Sequence, residues 1–147
     1  MSQLMIRPGR IEDAPTLRKL EKENFTDPWS EEGLVNELAS PLSYIRVAET
    51  EGRIVAYLIA TRVLDEGELL RIAVSPRDRV QGIGKQLTEA MLQENPSIKV
   101  WRLDVRESNY GARKLYESLG FLPVVRRRNY YEKPMEDGVM MMLENRG

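Results

Sequence analysis

Glu68-Leu69-Leu70-Arg71-Ile72-Ala73-Val74-Ser75-Pro76, continued by Arg77-Asp78-Arg79-Val80-Gln81-Gly82-Ile83-Gly84-Lys85, carries a strand, a turn and the opening of a helix in one run. The apolar stretch stops at Ser75-Pro76. From about Gly82 to Gln93, Ile83, Leu87 and Ala90/Met91 recur at helical spacing. Gly82 and Gly84 let the backbone approach a ligand closely and take conformations barred to other residues. The first N–H groups of a helix lack internal partners and carry partial positive charge, so this junction suits a phosphate or pyrophosphate. A Walker loop would need glycine five residues before Gly84-Lys85 and Ser or Thr after it, where Arg79 and Gln86 stand. A dinucleotide fingerprint would need a third glycine where Leu87 stands. What survives is Arg79-x-x-Gly82-x-Gly84 between strand and helix. Alone it fits either an anion site or a glycine-rich helix entry with no ligand.

Working outward, Asn95-Pro96 stops that helix and Ile98 to Val105 forms a strand, so the unit from Glu68 to Val105 should be parallel and right-handed. Upstream, Tyr44–Thr50 and Arg53–Leu64 flank the turn Glu51-Gly52, and Asp65-Glu66-Gly67 leads into the strand from Glu68 to Val74, an antiparallel meander. Leu4 to Arg7 is a short first strand. Asp13 can cap a helix with Pro15 in its first turn, and Ser30 a second that ends at Ser40-Pro41. Downstream, Ser108 to Leu119 is a helix with Gly120 at its C′ position. Phe121–Tyr131 and Val139–Leu143 are the last strands. The order β-α-α-β-β-β-α-β-α-β-β, with no linker or repeat, predicts one α/β domain over 1–147 with a mixed central sheet of about seven strands and about four helices.

Composition narrows the chemistry. Hydrophobic residues make up 41% and charged residues 31% of 147 residues, ordinary for a globular domain. A formal net charge of -1 gives no basis for nucleic-acid binding. There is no cysteine and no histidine, so disulfides, thiolate metal sites and a cysteine nucleophile are excluded and no metal is expected. Acid–base chemistry must then use carboxylates, tyrosine or lysine. No run approaches the ~18 apolar residues of a membrane span. The start, Met1 to Arg7, lacks the pattern of a signal peptide, so a cytoplasmic location is expected.

Beyond the glycine turn, Leu103-Asp104-Val105-Arg106-x-Ser108-Asn109-x-x-Ala112-x-x-Leu115-Tyr116-x-x-x-Gly120-Phe121 follows at compatible spacing. Together with the order of elements, the chain resembles the GCN5-related N-acetyltransferases over nearly its whole length. Within them it is most similar to bacterial ribosomal-protein-alanine N-acetyltransferases. Phe25-x-x-Pro28-Trp29-Ser30, Ile72-Ala73-Val74, the Leu103 to Phe121 stretch and Arg127-Arg128-Asn129-Tyr130-Tyr131 carry that likeness.

The resemblance implies acetyl-CoA as cosubstrate and assigns roles. Backbone groups of Ile72, Ala73 and Val74 would pair with the pantetheine arm, and one N–H could polarise the acetyl carbonyl. Arg79, Val80, Gln81, Gly82, Ile83, Gly84 and Lys85 would hold the pyrophosphate. Asn109 would touch the cofactor, although a helix cap is its plainer role and Ser108 competes for it. Tyr116 would be the acid to the departing thiolate, against a plain core tyrosine. Asp104 stands where the alanine acetyltransferases carry a glutamate base. It is one methylene shorter, a change in reach of roughly 1.5 Å, so a bridging water or another group such as Glu68 is an alternative. Trp29, Tyr130 and Tyr131 would border the acceptor, or else be a loop anchor and one-in, one-out strand residues. Arg126 to Arg128 read as a solvated strand end, and Met140 to Met142 as sheet core. Three functions remain: acetylation of a protein N-terminus, with a ribosomal-protein alanine implied; acetylation of lysine or small amines; or a non-catalytic acyl-CoA-binding module. Tyr116 argues against the last. Oligomeric state is not readable.

Overall fold

The computed structural model describes residues 3–145, with the backbone alone at Val80 and Gln81. Met1 and Ser2, where the N-terminal expectation begins, lie outside them. The elements are β1 (Met5–Pro8), α1 (Ala14–Asn24), α2 (Glu31–Ala39), β2 (Ser43–Thr50), β3 (Arg53–Val63), β4 (Glu66–Val74), α3 (Ile83–Glu94), β5 (Val100–Arg106), α4 (Tyr110–Ser118), β6 (Leu122–Tyr131) and β7 (Glu136–Glu144), with 3-10 turns at Ile11–Asp13 and Pro76–Gln81. This is the expected order. The strands form one seven-stranded sheet, β1-β2-β3-β4-β5-β7-β6, in which β4 and β5 alone run parallel.

Strand side chains alternate between the two faces, and both faces of the central strands are covered, whereas β6 is almost wholly exposed. On one, Val47, Tyr57, Ile59 and Ala73 pack with Leu17 and Leu20 of α1 and Leu34 of α2. On the other, Ala56, Leu58, Trp101, Leu103 and Val105 pack with Ile83, Leu87 and Met91 of α3 and Tyr116 of α4. Burial on both sides explains why β3 is a nearly unbroken apolar run rather than an alternating one.

Local signals decide the ends. Ser30 caps α2, its Oγ accepting from Gly33 N–H at 3.0 Å, and Gly120 takes φ +103° just past α4. Asp13 does not cap α1: its carboxylate accepts instead from the Arg7 guanidinium at 2.9 Å and from Arg10 N–H at 2.7 Å. A charged partner from β1 outcompetes the helix N–H groups. Gly67 is dictated by packing, since a Cβ there would lie 2.3 Å from the buried Trp101 ring. Among the described residues no helix is long and apolar enough to cross a membrane.

Candidate functional site

The parallel ladder between β4 and β5 stops at Leu69↔Leu103, yet β4 runs on to Val74 and β5 to Arg106. The two strands therefore part in mid-sheet. Ser75 N–H bonds Val55 O on β3 at 2.7 Å. Because antiparallel residues alternate in direction, Val74 and Ile72 turn their N–H and C=O groups the other way, into the opening. Ala73 turns its own toward β3 and its side chain into the α1/α2 core. Of the three residues assigned to the pantetheine arm, Ile72 and Val74 thus turn backbone toward the opening, where Val74 O also accepts from Arg79 Nε at 3.4 Å.

At the end of β4 the chain makes the 3-10 turn Pro76–Gln81, then Gly82 takes φ +68° as N-cap of α3. Among the described residues no side chain caps α3, which leaves its first N–H groups available to a ligand. Beyond Gly82 there is open space, whereas Gly84 sits against Leu115, Ile72 and Val74, where a Cβ would make ordinary contact at 3.4 Å or more. Gly84 thus seats the helix start on β4 and α4, and Gly82 turns the backbone toward the open side. That fits a diphosphate-bearing ligand. Lys85 is exposed there. Arg79 reaches back, Nη2 to Asn24 Oδ1 at 2.6 Å and Nε to Val74 O at 3.4 Å, and so bridges to α1. Val80 and Gln81 lie in the turn, their side chains outside the described residues.

On β5, Trp101, Leu103 and Val105 face α3 and α4, so Arg102, Asp104 and Arg106 face the other way. Glu68, in register with Arg102, lies on that same face. Asp104 is mostly buried, and its Oδ1 accepts from Arg127 Nε at 2.8 Å. Arg127 is therefore not part of a solvated run. Arg126 is, bridging to Glu107 and Asp137 at 66% exposure. Tyr130 and Tyr131 do not alternate in and out. The β6–β7 register shifts between Arg127 and Tyr131, Asn129 takes φ +50°, and both rings fold over Gly138, meeting edge to face at 5.0 Å. Arg127 lies over Tyr130 and Arg106 over Tyr131. Met141 is core, as expected, with Met140 and Met142 half-buried.

The Acetyltransferase (GNAT) family profile matches residues 14–121. The chain belongs to that family. It is 36% identical over 130 residues to the [Ribosomal protein bS18]-alanine N-acetyltransferase of Haemophilus ducreyi, covering 86% of this chain and 87% of the relative. To the enzyme of the same name from Escherichia coli strain K12 it is 35% identical over 135 residues, covering 89% and 90%. The crystal structure of the ribosomal-protein-S18-alanine N-acetyltransferase from Escherichia coli superposes with a TM-score of 0.92 at 33% identity, over 97% of this chain and 94% of that one. The expected family and single mixed-sheet fold therefore hold, and the chain is an N-acetyltransferase.

In this acetyltransferase Tyr116 sits on the α3/α4 side of the sheet, 5% exposed, with its ring 5.8 Å from Phe121. Burial pushes its hydroxyl well above the ordinary tyrosine value, with Tyr131 adding to the effect. Burial, then the charge of Asp104, pushes Tyr131 up to about 12. Asp104 thus acts on Tyr131, and Tyr131 in turn on Tyr116, across the two faces of the sheet. Asn109 is the cap of α4, its Oδ1 accepting from Ala112 N–H at 3.2 Å; Ser108 instead donates its N–H to Glu136 at 2.6 Å.

Sequence reasoning missed Glu21 and Arg71. Glu21, on α1, is fully buried and binds Arg71 Nη2 at 3.0 Å, Trp29 N–H at 2.8 Å and the Tyr57 hydroxyl. One signal was available: Glu21 follows Leu17 and Leu20 on the apolar stripe of α1, a place where a carboxylate needs a buried partner.

Proposed function

We propose that this acetyltransferase transfers the acetyl group of acetyl-CoA to a protein N-terminal amine, with the N-terminal alanine of the small-subunit ribosomal protein bS18 as acceptor. The opening between β4 and β5 carries the proposal. One side offers unpaired backbone and an uncapped helix start, the other a carboxylate, and aromatic residues stand nearby on the loop from Phe25 to Ser30 and on β6. The relatives' names and the high coverage in both directions support the choice of acceptor.

Bound acetyl-CoA supplies an acyl group activated as a thioester. The chain's part is to hold it, position the amine and move two protons. The backbone from Val80 to Lys85 and the charge of Lys85 would hold the diphosphate, while Arg79 starts the turn and bonds back to Asn24. Ile72 would offer its N–H and C=O and Val74 its N–H to the pantetheine arm, with one N–H for the acetyl oxygen. Asn109 Oδ1 serves the cap, which leaves its Nδ2 for the cofactor. Asp104, held at Oδ1 by Arg127, would take the ammonium proton, directly or through a water. Tyr116, kept protonated by burial, would donate its proton to the leaving thiolate and regain one from the second proton that the acetylated nitrogen sheds. No cysteine exists to form an acyl-enzyme, which favours direct attack in a ternary complex. Trp29, Tyr130 and Tyr131 would border the acceptor peptide.

Acetylation of three acceptors tests this: an alanine-starting peptide, a lysine peptide with a blocked N-terminus, and free amines. Turnover of the first alone is expected. Transfer confined to the blocked lysine peptide overturns the N-terminal acceptor, and no turnover overturns the catalytic assignment.

A further inference from the structure

The segment from Phe25 to Ser30 has no helix or strand of its own. What fixes it is a buried ion pair. Burying a carboxylate costs several kcal/mol unless its oxygens are satisfied, and Glu21 spends its bonds on one task. Oε1 accepts from Trp29 N–H at 2.8 Å and from Arg71 Nη2 at 3.0 Å; Oε2 accepts from Arg71 Nε at 3.2 Å and from the Tyr57 hydroxyl. Arg71 then donates Nη2 to Asp27 O at 2.8 Å and lies 3.8 Å from the centre of the Phe25 ring and 5.1 Å from that of Trp29. Phe25, Asp27 and Trp29 are thus all tied to one guanidinium, and Arg18 adds a bond to Trp29 O at 2.6 Å.

The position of Arg71 explains why it can do this. The β3–β4 register shifts between Ile59 and Ala60, which pair with Arg71 and Leu69. The shift falls where the β4–β5 ladder has just ended, and Arg71 emerges on the α1 face beside the opening. Its charge is also felt at Tyr131 on β6. One residue therefore links the strand that lines the opening to the loop placed at the acceptor.

We infer that Glu21 and Arg71 are positioning residues that hold the Phe25–Trp29 loop as the acceptor wall, and so set affinity for the acceptor rather than for acetyl-CoA. This rests on the proposed N-terminal acceptor. Neither residue need touch the reacting atoms.

The test is a pair of variants: Arg71→Lys, which keeps the charge but not the fork, and Glu21→Gln/Arg71→Met, which removes both charges so that none is left buried alone. In the double variant the acceptor KM is expected to rise about tenfold or more, with kcat falling less than about threefold. The acetyl-CoA Kd should stay within about twofold, and Arg71→Lys should fall between. Acrylamide quenching gives an activity-free readout: Trp101 is fully buried, so increased quenching reports release of Trp29. An unchanged KM with unchanged quenching overturns the inference, as does a parallel loss of acetyl-CoA affinity, which would mark a support for the whole fold. Wild-type enzyme inactive on every amine would sink the proposed function and this inference together. Normal wild-type turnover with an unchanged variant KM would sink the inference alone.

Discussion

Replacing Tyr116 by phenylalanine removes one oxygen and leaves the ring where it packs, edge-on to Phe121 at 61°. Among the described residues the hydroxyl has no hydrogen-bond partner, so its loss breaks no bond in the unliganded protein. Stability should therefore change by less than about 1 kcal/mol, the net worth of one hydrogen bond. For a domain of this size that is a shift in Tm of under ~4 °C. The effect on catalysis is on another scale. A positioned acid contributes roughly 100- to 10,000-fold, which at about 1.36 kcal/mol per factor of ten is about 2.7 to 5.4 kcal/mol of barrier. Burial raises the Tyr116 pKa, so the proton stays on the hydroxyl through the ordinary tyrosine value of about 10. Wild-type kcat should accordingly show no alkaline loss from this group below about pH 10. Release of free coenzyme A can be followed with a thiol reagent, because the chain has no cysteine to react. A fall in kcat with Tm and acetyl-CoA binding preserved is expected. A kcat close to wild type, or a fall matched by lost acetyl-CoA affinity, would refute the acid role.

Asp104→Asn should lower kcat by roughly 100- to 10,000-fold if the carboxylate takes the amine proton, with acetyl-CoA binding intact by titration calorimetry; near-normal turnover would shift the role to Glu68 or water. Gly67→Ala drives a methyl into the Trp101 ring and should cost at least about 1–3 kcal/mol, read as a lower urea midpoint; an unchanged midpoint would show that Trp101 can move aside. Burial alone would raise the Asp13 carboxyl, but Arg7 and the Arg10 N–H bring it below its ordinary value. A depressed folded pKa gives stability that is present above the unfolded value of about 3.9 and lost as pH falls through the folded one. Asp13→Asn should therefore lower stability at neutral pH and flatten the acid limb below about pH 4; an unaltered acid limb would show that other carboxylates dominate it.

Much of this was legible because it is local. The strand–turn–helix at Glu68 to Lys85, the cap at Ser30, the stop at Asn95-Pro96 and the glycine after α4 depend on neighbours within a few residues, and each stands as read. The site was legible only in outline. That Asp104 is held by Arg127 depends on β5 and β6 meeting across β7, and an Arg-Arg-Arg run looks like solvated charge until that pairing is known. The fold of Tyr130 and Tyr131 over Gly138 follows from a register shift that strict alternation cannot anticipate. Asp13 read as a cap because its best partner, Arg7, sits on another element. Glu21 and Arg71 are 50 residues apart and meet only because α1 packs on the sheet. Periodicity placed Glu21 on the buried stripe of α1 but could not name what answers its charge.

The most direct single measurement uses a peptide that begins with alanine and carries an internal lysine, incubated with the enzyme and acetyl-CoA and mapped by fragment mass spectrometry. The proposed acceptor site at the opening between β4 and β5 predicts one acetyl group on the alanine α-amine. Acetyl on the lysine alone, or on neither amine, would contradict it.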